Sequence, residues 1–237
     1  MKEYLASTMM LNFENPSIQQ LIDRKGWRRL AEKDRISHIY EFVRNDITFG
    51  YNQSDELTAS EVLHDGYGQC NTKSTLLMAL LRAVGIPCRI HGFYIDKRMQ
   101  KGALTGIVYQ FAPKKIVHAW TEVYFQGEWL ALEGVIIDEP YLQQVKEKLC
   151  RFNNGYIGYG VAVEHPKDIN VCWNGASTYI QSFSITDDLG IYASPDEFFS
   201  QFHNTDRFVK KLLFNILRKR INRQLDSLRK QNKNYTE

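Results

Sequence analysis

The stretch Ser60–Phe93, SEVLHDGYGQCNTKSTLLMALLRAVGIPCRIHGF, decides the fold. Just ahead of it, Thr58 is a fitting N-cap with Glu61 three residues on, so a helix of one to two turns forms around Ala59–Leu63. The loop Asp65–Cys70, DGYGQC, then launches an amphipathic helix whose buried face is Leu76, Leu77, Leu80, Leu81 and Val84. Gly85 and Pro87 stop that helix, and a strand begins at Cys88. Cys70 therefore occupies the first turn of a helix, directly behind a glycine-rich loop. A helix N-terminus stabilises a thiolate. The glycines let a substrate carbonyl approach the backbone closely, where the Cys70 amide is a donor for an oxyanion. A cysteine at a helix start is, on position alone, more often a small core residue; chemistry needs a partner.

Working outward, strand-like runs cover Cys88–Tyr94, Gly106–Ala112, Val117–Phe125 and Glu128–Leu132, with Gln126-Gly127 joining the last two as a tight hairpin. In VHAWTEVYF the period of two puts His118, Trp120, Glu122 and Tyr124 on one face. A strand histidine is commonly structural, but His118 downstream of Cys70 supplies the pair that thiol catalysis requires: imidazole takes the thiol proton and returns it to a leaving amine. A third group orients the ring. With a two-residue turn, Phe125 opposes Glu128 and Trp120 faces Glu133. His118 is then the diagonal neighbour of Glu133, within reach of a long side chain. Asp138 lies far past His118 in that register.

At this point the residues resemble the transglutaminase-like superfamily. Ser60–Phe93 resembles its core: a G-x-G-x-C turn, a leucine-rich helix ending in LLRAVGIP, and Arg89 two residues later. His118–Trp129, HAWTEVYFQGEW, is similar to the second block, and VRNDITFGY (Val43–Tyr51) to the run into the core. The resemblance is strong over about 39–133 and loose over 1–45. It implies an α+β fold of the papain/transglutaminase type, with the nucleophile on a helix N-terminus packed against an antiparallel sheet. It also implies a Cys-His-acid triad acting on amides, with Cys70 as nucleophile, His118 as base and Glu133 as orienting acid. The chain is similar to small bacterial-type, cysteine protease-like members, for which hydrolysis is favoured over transamidation. The family generally has Asp-Pro at the acid position, where this chain reads LEGVIID (Leu132–Asp138). That departure leaves a second reading, a weakly active or inactive peptide-binding module of the same fold. Gln69, just before the nucleophile, is a further candidate for the oxyanion site.

Composition fits this reading and excludes others. The 237 residues are 43% hydrophobic, 24% charged and 13% aromatic, as in a packed globular protein rather than a disordered or low-complexity chain. No run approaches the ~18 apolar residues of a membrane-spanning helix. The N-terminal MKEYLASTMMLNFEN lacks the pattern of a secretory signal, so a cytoplasmic location is expected. Cys70, Cys88, Cys150 and Cys172 form no CxxC pair, and no EF-hand loop is present, so neither metal nor cofactor is expected. The glycines of GYIGYG (Gly155–Gly160) neither follow a clear strand nor open a helix, which argues against a phosphate loop. His165, Trp173 and Asn174 read as ordinary loop packing.

Charge is unevenly spread. Between Arg207 and Lys233 there are ten Lys/Arg and one acid, Asp226, although the whole chain carries only +3. The expected organisation is a domain over 1–195, with its core at about 39–138, and a basic helical extension over 196–237. Further helices are expected over Ile18–Lys25, Glu32–Asn45, Pro140–Arg151 and Asp206–Arg229, with Phe152–Asp188 irregular. The last helix carries an apolar stripe of Val209, Leu213, Ile216, Leu217, Ile221, Leu225 and Leu228, which packs on the body or on a second copy. The expected partner is a peptide or protein substrate. Nucleic acid is not expected.

Overall fold

The computed structural model describes residues 1–103, 109–110, 113–149, 151–152, 155–167, 169–203 and 208–230, the segment 208–217 by its backbone only. Helices α1 (Pro16–Lys25) and α2 (Glu32–Glu41) bury Ile18, Leu21 and Ile22, and Ile36, Ile39 and Tyr40, respectively. The helix expected to reach Asn45 stops being α-helical at Glu41. It continues as a π-type turn, Phe42–Asp46, a wider turn in which Phe42, Val43 and Arg44 all point inward. Strand β1 (Thr48–Phe49) follows. Helix α3 (Ala59–Asp65) has the expected capping box, and β2 (Tyr67–Gly68) pairs in parallel with β1. Helix α4 (Cys70–Ala83) is buried along its whole length.

The sheet behind α4 contains β3 (Cys88–Asp96), β4 (Lys115–Phe125), β5 (Glu128–Ala131) and, after β6 (Tyr156–Gly158) and β7 (Val161–Val163), β8 (Ile185–Tyr192). Its strand order is β5-β4-β3-β8, antiparallel throughout, while β6 and β7 pair with each other. The hairpin turns at Gln126 and Gly127, both with positive φ, in the register expected: Phe125 opposes Glu128. Helix α4 lies along β4 and is tied to its backbone. Asn71 Nδ2 donates to Val117 O (3.1 Å), Ser74 Oγ donates to Ala119 O (3.3 Å), and Thr121 Oγ1 donates to Ser74 O (3.3 Å). Arg82, buried at the helix end, donates to Cys88 O (2.9 Å) and to Ala6 O (2.6 Å). The fold is thus α+β, with the Cys70 helix packed on an antiparallel sheet.

Two expectations need correction. The segment Phe152–Asp188 is not wholly irregular, because it contains β6, β7 and the start of β8. Strand β8 is an edge strand with bulges and mixed exposure, so its ITDDLGIY shows no clean alternation. Of the strand expected over Gly106–Ala112, only Tyr109 and Gln110 are described, and both are helical.

Helix α5 (Glu139–Leu149) follows the hairpin, and α6 (Pro195–Phe199) follows β8. The expected boundary between 195 and 196 falls inside α6, whose Phe198 is fully buried. Phe198 sits on the sheet where β3 has no side chain: a Cβ on Gly92 would lie 2.1 Å from its ring. Gly92→Ala is therefore expected to destabilise the protein by about 1–3 kcal/mol, the usual range for overpacking. A urea midpoint equal to that of the wild type would refute this. Helix α7 (Phe208–Lys230) places Ile221 and Leu225 in the core. No helix among the described residues is long and apolar enough to cross a membrane.

Candidate active site

The loop before Cys70 is held by Asn52, a residue with no distinguishing sequence pattern. Its Nδ2 donates to Asp65 Oδ2 (2.8 Å) and Tyr67 O (3.0 Å), and its Oδ1 accepts from Thr72 Oγ1 (2.6 Å). Its backbone N–H donates to Gln69 Oε1 (2.8 Å), while Gln69 Nε2 donates to Asp55 Oδ1 (2.9 Å). Both ends of the Gln69 carboxamide thus brace the loop. Gly68 is required for close approach: a Cβ there would lie 2.7 Å from Thr72 Oγ1 and 2.9 Å from Lys73 Cγ. The result is a Cys70 thiol at the first turn of α4, 7% exposed, donating to Asn71 Oδ1 at 3.6 Å.

His118, from β4, is fully buried, as is Glu133. Nε2 of His118 lies 2.8 Å from Glu133 Oε1. The contact matches expectation, but the route to it does not. The β4–β5 ladder ends at Glu122–Ala131, Leu132 N makes one more bond to Thr121 O (2.9 Å), and Glu133 opens a 3-10 turn, Glu133–Ile136, instead of extending the strand. What aims the carboxylate is a segment that sequence reasoning missed. Oε2 of Glu133 accepts three backbone N–H groups, from Ile180 (2.9 Å), Gln181 (3.0 Å) and Ser182 (3.1 Å). Thr178 anchors that segment: its N–H donates to Ala131 O (2.9 Å), and its carbonyl accepts from Glu133 N (3.1 Å). Four hydrogen bonds fix this carboxylate in place.

The second ring nitrogen of His118, Nδ1, is buried and has no hydrogen bond of ordinary geometry. The Cys70 thiol is close enough to act on the protonation of the ring. Burial pushes the His118 pKa down. The negative charge available on Cys70 and the Glu133 carboxylate outweigh that, and the pKa rises to about 10. The imidazolium is thus favoured at neutral pH, between a sulfur on one side and a carboxylate on the other. Trp120 stands edge-on to the ring at 6.1 Å between centroids, and itself packs on Phe93 (4.1 Å) and Tyr179 (5.7 Å).

Other candidates lie elsewhere. Asp138 is committed to Arg229 of α7 (2.7 Å) and to the N–H of Phe49 (2.8 Å). Trp173 packs on Phe125 at 5.5 Å, as loop packing would have it. Among the described residues, no group of three or more His, Cys, Asp or Glu side chains could hold a metal ion.

Comparison with known proteins finds similarity over part of the chain. Residues 22–134 match the family profile of the transglutaminase-like superfamily. Over 99 residues, 41% of this chain, the sequence is 26% identical to uncharacterized protein YebA of Bacillus subtilis (strain 168) and covers 13% of that protein. The structure is similar to that of a candidate cysteine protease from Cytophaga hutchinsonii, with a TM-score of 0.47 and 13% identity over 82% of this chain and 47% of that one. Red sea bream transglutaminase gives a TM-score of 0.32 and 15% identity over 51% of this chain and 24% of that one. The chain thus spans less than half the length of each of these relatives. Cys70, His118 and Glu133 all fall within the segment, residues 22–134, that matches the transglutaminase-like superfamily.

Proposed function

We propose that this chain is a thiol-dependent hydrolase or acyltransferase that acts on peptide or isopeptide amide bonds, with hydrolysis the favoured outcome. The observation that carries this reading is the single imidazole held between the Cys70 thiol and the Glu133 carboxylate, 2.8 Å from the latter. In the proposed reaction, Cys70 Sγ attacks the amide carbonyl and the carbonyl oxygen becomes an oxyanion. The backbone N–H of Cys70, at the open end of α4, is a donor for that oxyanion. Collapse of the intermediate breaks the C–N bond, and His118 gives its proton to the departing amine, leaving a thioester. Water, or an amine in an acyl transfer, then attacks the thioester. His118 takes the proton of the attacking group, and Cys70 leaves as thiolate. Glu133 keeps the ring oriented and its charged form stabilised through both halves. Free Cys70, Cys88 and Cys172 suit a reducing compartment, and the cytoplasm is the proposed location.

Thiol labelling tests this reading without knowledge of the substrate. At pH 7 an ordinary thiol is only a few per cent ionised, so a Cys70 activated by His118 should react with iodoacetamide about tenfold faster than exposed Cys172. His118→Ala should abolish the difference. Equal rates for both cysteines in the wild type would instead favour a binding module of the same fold.

A further inference from the structure

A lysine lies one helical turn beyond the nucleophile, entirely inside the protein. Lys73 is fully buried, and its Nζ donates to two backbone carbonyls, Ile136 O (3.0 Å) and Arg44 O (3.1 Å). Ile136 closes the 3-10 turn that Glu133 opens, and Arg44 belongs to the π-type turn after α2. A buried ammonium is unfavourable, and an unbranched apolar side chain such as Met would fill the same space. What only a long donor supplies here is a bond to two separate segments at once.

We infer that Lys73 is a positioning residue for the Cys70–His118–Glu133 arrangement, bracing the helix that bears the nucleophile against the turn that bears the acid. This rests on the proposed thiol chemistry. Cys70 and Lys73 are three residues apart on α4, and Glu133 and Ile136 are three residues apart on their turn. The Lys73–Ile136 bond therefore fixes the spacing of the two elements close to the reacting groups. Small errors in such spacing are costly, since a displacement of about 1 Å can slow catalysis roughly a hundredfold.

The brace is held from behind by α7. Arg229 pairs with buried Asp138, two residues past Ile136, through Nη2 (2.7 Å) and Nε (3.0 Å), and also donates to Phe49 O. The charged groups around Lys73 are Asp138, Arg229 and Arg44, and Arg44 is itself paired with Glu139. With Arg229 serving Asp138, Lys73 is left to its two carbonyls. Burial, reinforced by Arg229 and Arg44 against the pull of Asp138, lowers its pKa to about 7.

The test is the pH profile of iodoacetamide labelling at Cys70 in the full chain, for wild type, Lys73→Met and Arg229→Gln, each first checked for cooperative unfolding in urea. Lys73→Met is expected to slow Cys70 labelling about tenfold at pH 7, the worth of a buried hydrogen bond, with Cys172 unaffected. The rate should return to that of the wild type near pH 10, where a thiol ionises without a base beside it, because activation has been lost and not access. Arg229→Gln should act in the same direction by about threefold, since it loosens the turn only from behind. A folded Lys73→Met with the wild-type profile overturns the role of Lys73; if that variant does not fold, an unchanged Arg229→Gln profile overturns it. A wild type in which Cys70 is no faster than Cys172 removes the functional reading itself, and with it the inference, and is told apart by needing no variant.

Discussion

Glu133→Ala is expected to lose about 3–5 kcal/mol of stability, the cost of removing one partner from a buried charged pair, and to abolish the extra reactivity of Cys70. Two debts arise together in that variant: His118 loses the anion that favours its charged form, and the N–H groups of Ile180, Gln181 and Ser182 lose their shared acceptor. Glu133→Gln separates the two. Its carbonyl oxygen can keep the three N–H groups, while its NH2 faces His118 Nε2 and donates to it. That forces the ring into the neutral form with its proton on Nδ1 and its one lone pair turned to the introduced amide, so the ring can no longer accept the thiol proton. Glu133→Gln should therefore retain most of the wild-type stability and lose the labelling advantage. Glu133→Asp, one methylene shorter, is expected to fail on reach, since the carboxylate must touch His118 on one side and the three backbone N–H groups on the other. Urea denaturation and the Cys70/Cys172 labelling ratio measure both effects. A Glu133→Gln protein that labels as fast as wild type would show that the carboxylate charge does not matter.

The same residues show how far the sequence alone could be read. The helix carrying Cys70, its stop at Gly85, the hairpin at Gln126-Gly127 and the two-residue spacing of β4 all follow from local patterns, and local patterns are what a sequence displays. The His118–Glu133 contact was reached by extending the hairpin ladder two residues beyond where it ends. The expectation succeeded because Leu132 still bonds to Thr121, which carries the chain in the same direction for one more step. The remaining aim comes from the backbone of 180–182, and backbone N–H groups have no sequence signature. Asn52 and Lys73 were missed for a related reason. Each acts by bonding backbone or loop groups far away in the chain, Lys73 across 29 and 63 residues, and no spacing rule announces such partners. Strand β8 was hidden because Asp187, Asp188 and Gly190 break the alternation that marks a half-buried strand.

Lys73 also makes a prediction about stability that has a definite sign. Its pKa is about 7 in the folded protein, whereas an unfolded lysine titrates near 10.4. Between those values the unfolded chain binds one more proton than the native protein at this position, so this residue makes stability rise with pH. Lys73→Met removes that contribution. The stability of the wild type minus that of Lys73→Met is therefore expected to increase between about pH 7 and about pH 9, by about 3 kcal/mol in all if the full proton difference is expressed. His118, raised to about 10, pulls the opposite way in this window: its stabilisation, fully present below the unfolded value, is lost as pH climbs through the folded one. It is present in both proteins, so the subtraction removes it. Cys88, pushed up by burial to about 11, likewise keeps a proton that the unfolded chain releases, and the subtraction removes it as well. Below about pH 7 native Lys73 takes up its own proton and the difference should level off. A difference that stays flat from pH 6 to 9 in paired urea titrations would mean that the folded protein holds Lys73 as a full ammonium, paired with Asp138. Arg229 would then not be the sole counterion of that carboxylate, and α7 would have no hold on the brace.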